Sequence, residues 1–171
     1  MVKNLLINND LFFLAQYIIP IVDNSLPLYP FFSNKFESWQ LASHFFMHGN
    51  LSHLFFNMFA LWMFGKILEN IWGQKRFLIY YMITGVGAAF IHLMISQYQI
   101  ISISNEIPEL VNIAIEGRYS PSVPLSKKLT QLIITPTVGA SGAVFGLLLA
   151  FGMLFPNALL YLYFAIPIKA K

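Results

Sequence analysis

Four stretches of this chain, residues 5–22, 51–64, 77–95 and 138–155, are apolar and nearly free of formal charge, which limits the possible fold before any other feature does. A helix crossing the hydrocarbon core of a bilayer needs about 20 mostly apolar residues, and each stretch reaches or can be extended towards that length. The second does so if its helix begins with Asn50 or Ser52 as N-cap and runs on through Gly65 to Glu69. Only 10% of the residues are charged and the mean hydropathy is +0.66, whereas an average soluble domain carries roughly 25% charged residues. The expected class is therefore an all-α polytopic membrane bundle, with spans at about 5–22, 51–69, 77–95 and 138–155.

The formal charge of +3 is spread over ten basic residues that stand singly or in pairs, so no patch suited to a nucleic-acid partner forms. With no cysteine, disulfides, thiolate metal sites and a Cys nucleophile are excluded. Asn8, Asn9 and Asp10 interrupt the first apolar stretch and no Ala-x-Ala follows it, so it reads as a retained span and not as a cleaved signal. Residues 23–50 carry Pro27, Pro30 and Trp39, a composition suited to a loop half-sunk at the membrane interface. Residues 97–137, with Glu106, Glu109 and Glu116 and with Pro108, Pro121 and Pro124 among their prolines, read as a long, partly ordered loop facing solvent. Placing the N-terminus inside puts Lys3, Lys66, Lys75, Arg76, Lys169 and Lys171 on the inner side, against Lys35, Arg118, Lys127 and Lys128 outside. Basic residues favour the cytoplasmic side, so a cytoplasmic N-terminus is expected.

Polar side chains inside a span cost free energy unless paired or used, which singles out His53, Asn57 and Ser141. His53 and Asn57 are four apart, so a helix projects both from one face, where an imidazole and a carboxamide offer N–H donors for a developing oxyanion. Hydrogen bonding to a neighbouring helix would explain the same pair. Ser141 lies in Gly139-Ala140-Ser141-Gly142, where a starting helix leaves backbone N–H groups unpaired and presents the positive end of its dipole. Gly142 and Gly146, extended by Ala150, also make a small-residue face that lets another helix approach closely, and the motif alone reads as packing. His44, His48 and His53 lie close in sequence, but no Asp, Glu or Cys occurs between Ser38 and Leu68, so no metal is expected; His44 and His48 are read as bracing the loop. His92 is read as an interhelical hydrogen-bonding residue, and Lys127 and Lys128 are too far into a polar loop to suggest a Ser-Lys pair.

Taken in order, three motifs resemble the rhomboid family of intramembrane serine proteases. Trp39-Gln40-Leu41, followed by Ser43 to His48 and then His53-Leu54 and Asn57-Met58, is similar to the family's approach to its second helix, with Gln40 where an arginine is usual. Gly65, Glu69, Gly73 and Arg76 resemble the close of that helix, and Gly139-Ala140-Ser141-Gly142 resembles the nucleophile motif. The resemblance implies that Ser141 is the nucleophile, that His53, Asn57 and the Ser141 backbone N–H form the oxyanion hole, and that Phe145 supports the catalytic imidazole. It also implies a membrane-embedded first loop, a six-helix bundle with a water-filled cavity, transmembrane protein substrates within the lipid bilayer, and no cofactor; together with the compactness of the chain it implies the cell (inner) membrane as the location.

The family's general base is a histidine on the sixth helix, and no histidine follows His92 here. A serine near neutral pH is a weak nucleophile without a base in reach. The expectation is a C-terminally truncated rhomboid-like domain over 1–171 holding four of six helices, inactive alone, whose base lies beyond residue 171 and in which Gly142, Gly146 and Ala150 await a helix that is absent. The alternatives are a catalytically inactive relative that binds transmembrane segments, or a fragment of a transporter or channel with intramembrane histidines as a proton path.

Overall fold

The computed structural model describes the chain except residues 119, 121, 163–165, 170 and 171, so Pro121 and Lys171 of the sequence analysis lie outside the described residues. Among the described residues, eight helices other than short 3-10 turns follow in order: α1 (Val2–Ile18), α2 (Pro20–Ser25), α3 (Gln40–Ser43), α4 (Leu51–Trp72), α5 (Gln74–Glu106), α6 (Val111–Ile115), α7 (Pro124–Ile134) and α8 (Ser141–Leu154). Beyond this helical plan, Leu159–Leu162 and Ile166–Lys169 pair as a short antiparallel hairpin, Leu159 opposite Lys169.

Local chemistry sets several helix ends. Residue Ile19 is extended (φ −119°, ψ 98°) because it precedes Pro20, so the stretch expected as one span over 5–22 is a helix ending at Ile18 and a separate short turn. Asn50 caps α4, its Oδ1 accepting the His53 N–H at 2.8 Å. Gly73 ends α4 at φ +79°, a left-handed position that a side chain would strain, and turns the chain into α5. Within α4 the residues Leu61–Gly65 widen to a π turn, where Gly65 lies close to Val2 and Phe77. Near its far end, Glu69 accepts the Val2 N–H at 2.9 Å and so ties α1 to α4.

α4 and α5 are each long and apolar enough to cross a membrane. Their outward faces carry Phe55, Phe56, Trp62, Ile83, Phe90 and Ile91, all more than half exposed. Apolar surface on that scale belongs against lipid. The main core lies between α1, α4, α5 and α8, with Leu61, Leu68, Phe77, Ala143 and Leu147 fully buried.

Two expectations need correction. The stretch expected as a span over 77–95 continues as helix to Glu106, and the expected long loop 97–137 is largely helical: the end of α5, then α6 and α7. Ile100, Ile103 and Ile107 recur on one face of that extension and pack with Ala114, Leu129 and Ile133 into a second core, which is what supports a helix past its lipid-facing part. The second concerns Gly142 and Gly146, which do not wait for an absent helix: α5 fills that face. A methyl group added at Gly142 would stand 2.7 Å from Ala88 Cβ, and one at Gly146 2.6 Å from Thr84 Cβ. The Tyr80 hydroxyl donates to the Gly146 carbonyl at 2.8 Å across the same contact.

Candidate active site

Gly139 is the point at which the candidate residues meet. It is buried at φ +111°, and a Cβ built on it would lie 2.7 Å from His53 Cε1 and Nε2 and 3.6 Å from Asn57 Nδ2. Both side chains of the α4 pair therefore press against the backbone two residues before Ser141. The Asn57 amide is buried with no hydrogen-bond partner among the described residues. An orphaned buried donor costs about 1–3 kcal/mol, so its retention beside a nucleophile motif points to use.

Ser141 opens α8, and the first helical bond is the one from the Val144 N–H to the Ala140 carbonyl, at 2.9 Å. The N–H groups of Ser141, Gly142 and Ala143 are thus left without carbonyl partners, at the positive end of the helix. The Ser141 side chain is half-buried and bonds to no described residue. Phe145, one turn on, is 70% exposed and faces away from the packed core.

The chain leading to Ser141 is held from two sides. Leu28 and Thr137 exchange backbone hydrogen bonds at 2.9 and 2.8 Å, and the Gly139 N–H donates to the His44 carbonyl at 2.9 Å. The His44 ring bonds through Nδ1 to the Gln40 carbonyl at 2.7 Å, so it braces the loop. His48 acts differently: its backbone is clamped by Gln16, whose Nε2 donates to the His48 carbonyl at 2.7 Å and whose Oε1 accepts its N–H at 3.2 Å. Its ring nitrogens make no well-formed hydrogen bond to any described residue, and the ring stands edge-on to His53 with centroids 5.1 Å apart. Burial, and then the neighbouring His53, push the His48 pKa down to about 4. His92 shares a 2.8 Å hydrogen bond between Nε2 and Thr137 Oγ1, linking α5 to the same strand.

Sequence reasoning missed two positioning residues. Gln40 is fully buried and uses its whole carboxamide: Oε1 accepts the Tyr29 and Glu37 N–H groups, both at 3.2 Å, and Nε2 donates to the Ser25 and Lys35 carbonyls at 3.1 and 2.9 Å. Gln16 was the other. A lone amide in an apolar stretch was the available signal for it.

Comparison with known proteins identifies the family of the chain. The Rhomboid domain family matches residues 35–170. The chain is 32% identical over 123 residues to Rhomboid protein 1, mitochondrial, of Saccharomyces cerevisiae, covering 71% of this chain and 27% of the yeast protein. It is 31% identical over 109 residues to Rhomboid protease AarA of Providencia stuartii, 64% of this chain and 31% of that protein. With Rhomboid protease GlpG of Klebsiella pneumoniae the identity is 32% over 59 residues, 34% of this chain and 21% of the other. The matched part thus spans less than a third of each of these relatives. No solved structure matches the chain.

Proposed function

The chain belongs to the rhomboid family, a membrane-embedded family that includes intramembrane serine proteases, and from this we propose that it is the nucleophile-bearing part of an endopeptidase that cleaves transmembrane protein segments. Ser141 Oγ attacks the scissile carbonyl carbon and gives its proton to a histidine base. Oxygen, now carrying the negative charge, is held by Asn57 Nδ2, the His53 ring and the Ser141 N–H. Collapse breaks the C–N bond, the base returns its proton to the leaving amine, and water then hydrolyses the acyl ester on Ser141 by the same route. The base is proposed to be a histidine beyond residue 171; among the described residues no histidine hydrogen-bonds to Ser141. Without it this stretch alone is inactive. The cell membrane, with the N-terminus cytoplasmic, is the proposed location.

One observation carries this reading: His53 and the unpartnered Asn57 amide converge on Gly139, at the start of the helix that Ser141 opens. Serine-directed fluorophosphonate labelling and cleavage of a reporter transmembrane substrate by the natural gene product test it. Ser141→Ala should abolish both, and Asn57→Ala should lower kcat on the order of 100-fold, about 3 kcal/mol, with KM little changed. Cleavage that survives Ser141→Ala excludes the nucleophile assignment.

A second reading, a non-cleaving rhomboid-like protein that binds transmembrane segments, is favoured by one observation: the Ser141 hydroxyl has no base bonded to it among the described residues. Substrate capture by the natural gene product without labelling or cleavage would select it.

A further inference from the structure

A cavity of about 480 Å³ lies between the far end of α5, α7 and the strand that leads to Ser141. Its polar wall is made by His92, Ser96, Lys128, Gln131, Thr135 and Thr137, and no Asp or Glu lines it. Ser96 is only 6% exposed and bonds to no described residue. Lys128 is exposed at the rim and brings a full positive charge. Hydroxyl, amide and ammonium donors facing one space without a carboxylate form the environment of an anion.

Depth decides which anion. On α5, the apolar stretch starts at Phe77, just after Lys75 and Arg76, and ends at Ile95. At 1.5 Å per residue it is about 29 Å long, the thickness of a hydrocarbon core. Ser96 therefore stands where acyl chains give way to headgroups, and the cavity opens at phosphate level. Beside it on α5, Ile91, Met94 and Ile95 are each more than half exposed and offer a surface for the chains of the same lipid. We infer that this cavity is a headgroup site for an anionic phospholipid, its phosphate held by Lys128, Ser96 and Gln131.

The site adjoins the candidate active site without sharing its residues. Thr137, two residues before Gly139, forms part of the cavity wall, bonds to His92, and pairs through its backbone with Leu28. A bound headgroup thus touches the strand that positions the nucleophile, and occupancy would steady it.

Native mass spectrometry of the full chain, released from nanodiscs of equal phosphatidylglycerol and phosphatidylcholine, tests the inference. One phosphatidylglycerol should be retained per chain in preference to phosphatidylcholine. Lys128→Gln should weaken that retention on the order of tenfold, the usual worth of a charge-assisted bond. Lys128→Arg should keep it, and Lys75→Gln, at the other end of α5, should leave it unchanged. Equal retention of both lipids, or no effect of Lys128→Gln, would overturn the assignment. Displacement of the lipid by millimolar inorganic phosphate would reassign the cavity to a soluble anion and equally overturn it.

Discussion

His48 shows how a single side chain can make stability depend on pH without any ion pair. Its ring is 1% exposed, makes no well-formed hydrogen bond to a described residue, and has its pKa pushed down to about 4 by burial first and by His53 second. An unfolded chain would protonate this ring near its ordinary value of roughly 6.5. Between those two values the unfolded state binds a proton that the fold refuses, so stability is complete above about pH 6.5 and is lost as pH falls towards 4. His44 is shifted in the same direction, also by burial, and adds to the slope. Thermal melts in detergent should therefore show a lower Tm at pH 4.5 than at pH 7.5, and His48→Leu should flatten that difference. A wild-type Tm equal at the two values would contradict the buried neutral ring. Gly139 acts at the same scale by another route: its φ of +111° and its contact with His53 leave no room for a Cβ, so its identity follows from the ring beside it.

Among the elements, the α5–α8 contact shows what a stripe of small residues is for. Gly142 and Gly146 bring the backbone of α8 against Ala88 and Thr84, and this close approach fixes the depth at which Ser141 sits. Gly146→Leu forces Thr84 and its neighbours aside and should cost about 1–3 kcal/mol. It should also lower activity in the natural gene product, although it touches no candidate catalytic group. A denaturant or thermal midpoint in detergent checks the first effect, and reporter cleavage the second. The sequence displayed the stripe plainly but could not name its partner, because a small-xxx-small pattern is equally suited to any neighbouring helix. Helix ends were only partly legible: Asn50 caps α4 as its place before the apolar run suggests, whereas the break before Pro20 inside the expected span 5–22 was missed, although both act on their own backbone within a few residues.

At the scale of the whole molecule, two of the three buried apolar clusters among the described residues dominate, the main core between α1, α4, α5 and α8 and a second core at the far end of α5, beside the small cluster of Leu28, Ala89 and Leu93. The second, built from the end of α5 with α6 and α7, closes around Ile100, Ala114 and Leu129, all fully buried, and Phe32 of the first loop packs against it. Leu129→Ala should cost about 2–5 kcal/mol within this unit. Hydrogen exchange should then rise in Val111–Ile115 and Pro124–Ile134 while the amides of Leu51–Trp72 keep their protection. Exchange rising equally throughout would show that the two cores unfold together. The sequence alone determined the membrane class, the all-helical plan and the pairing of His53 with Asn57, because hydropathy and helical period are written into neighbouring residues. It did not reveal the continuation of α5 to Glu106, since hydropathy measures burial in lipid and this part is buried by protein. Only the tertiary structure decided that Gln40 anchors the first loop, that α5 covers the glycine face, and that His53 and Asn57 meet Gly139, for each of these contacts depends on packing between segments distant in sequence.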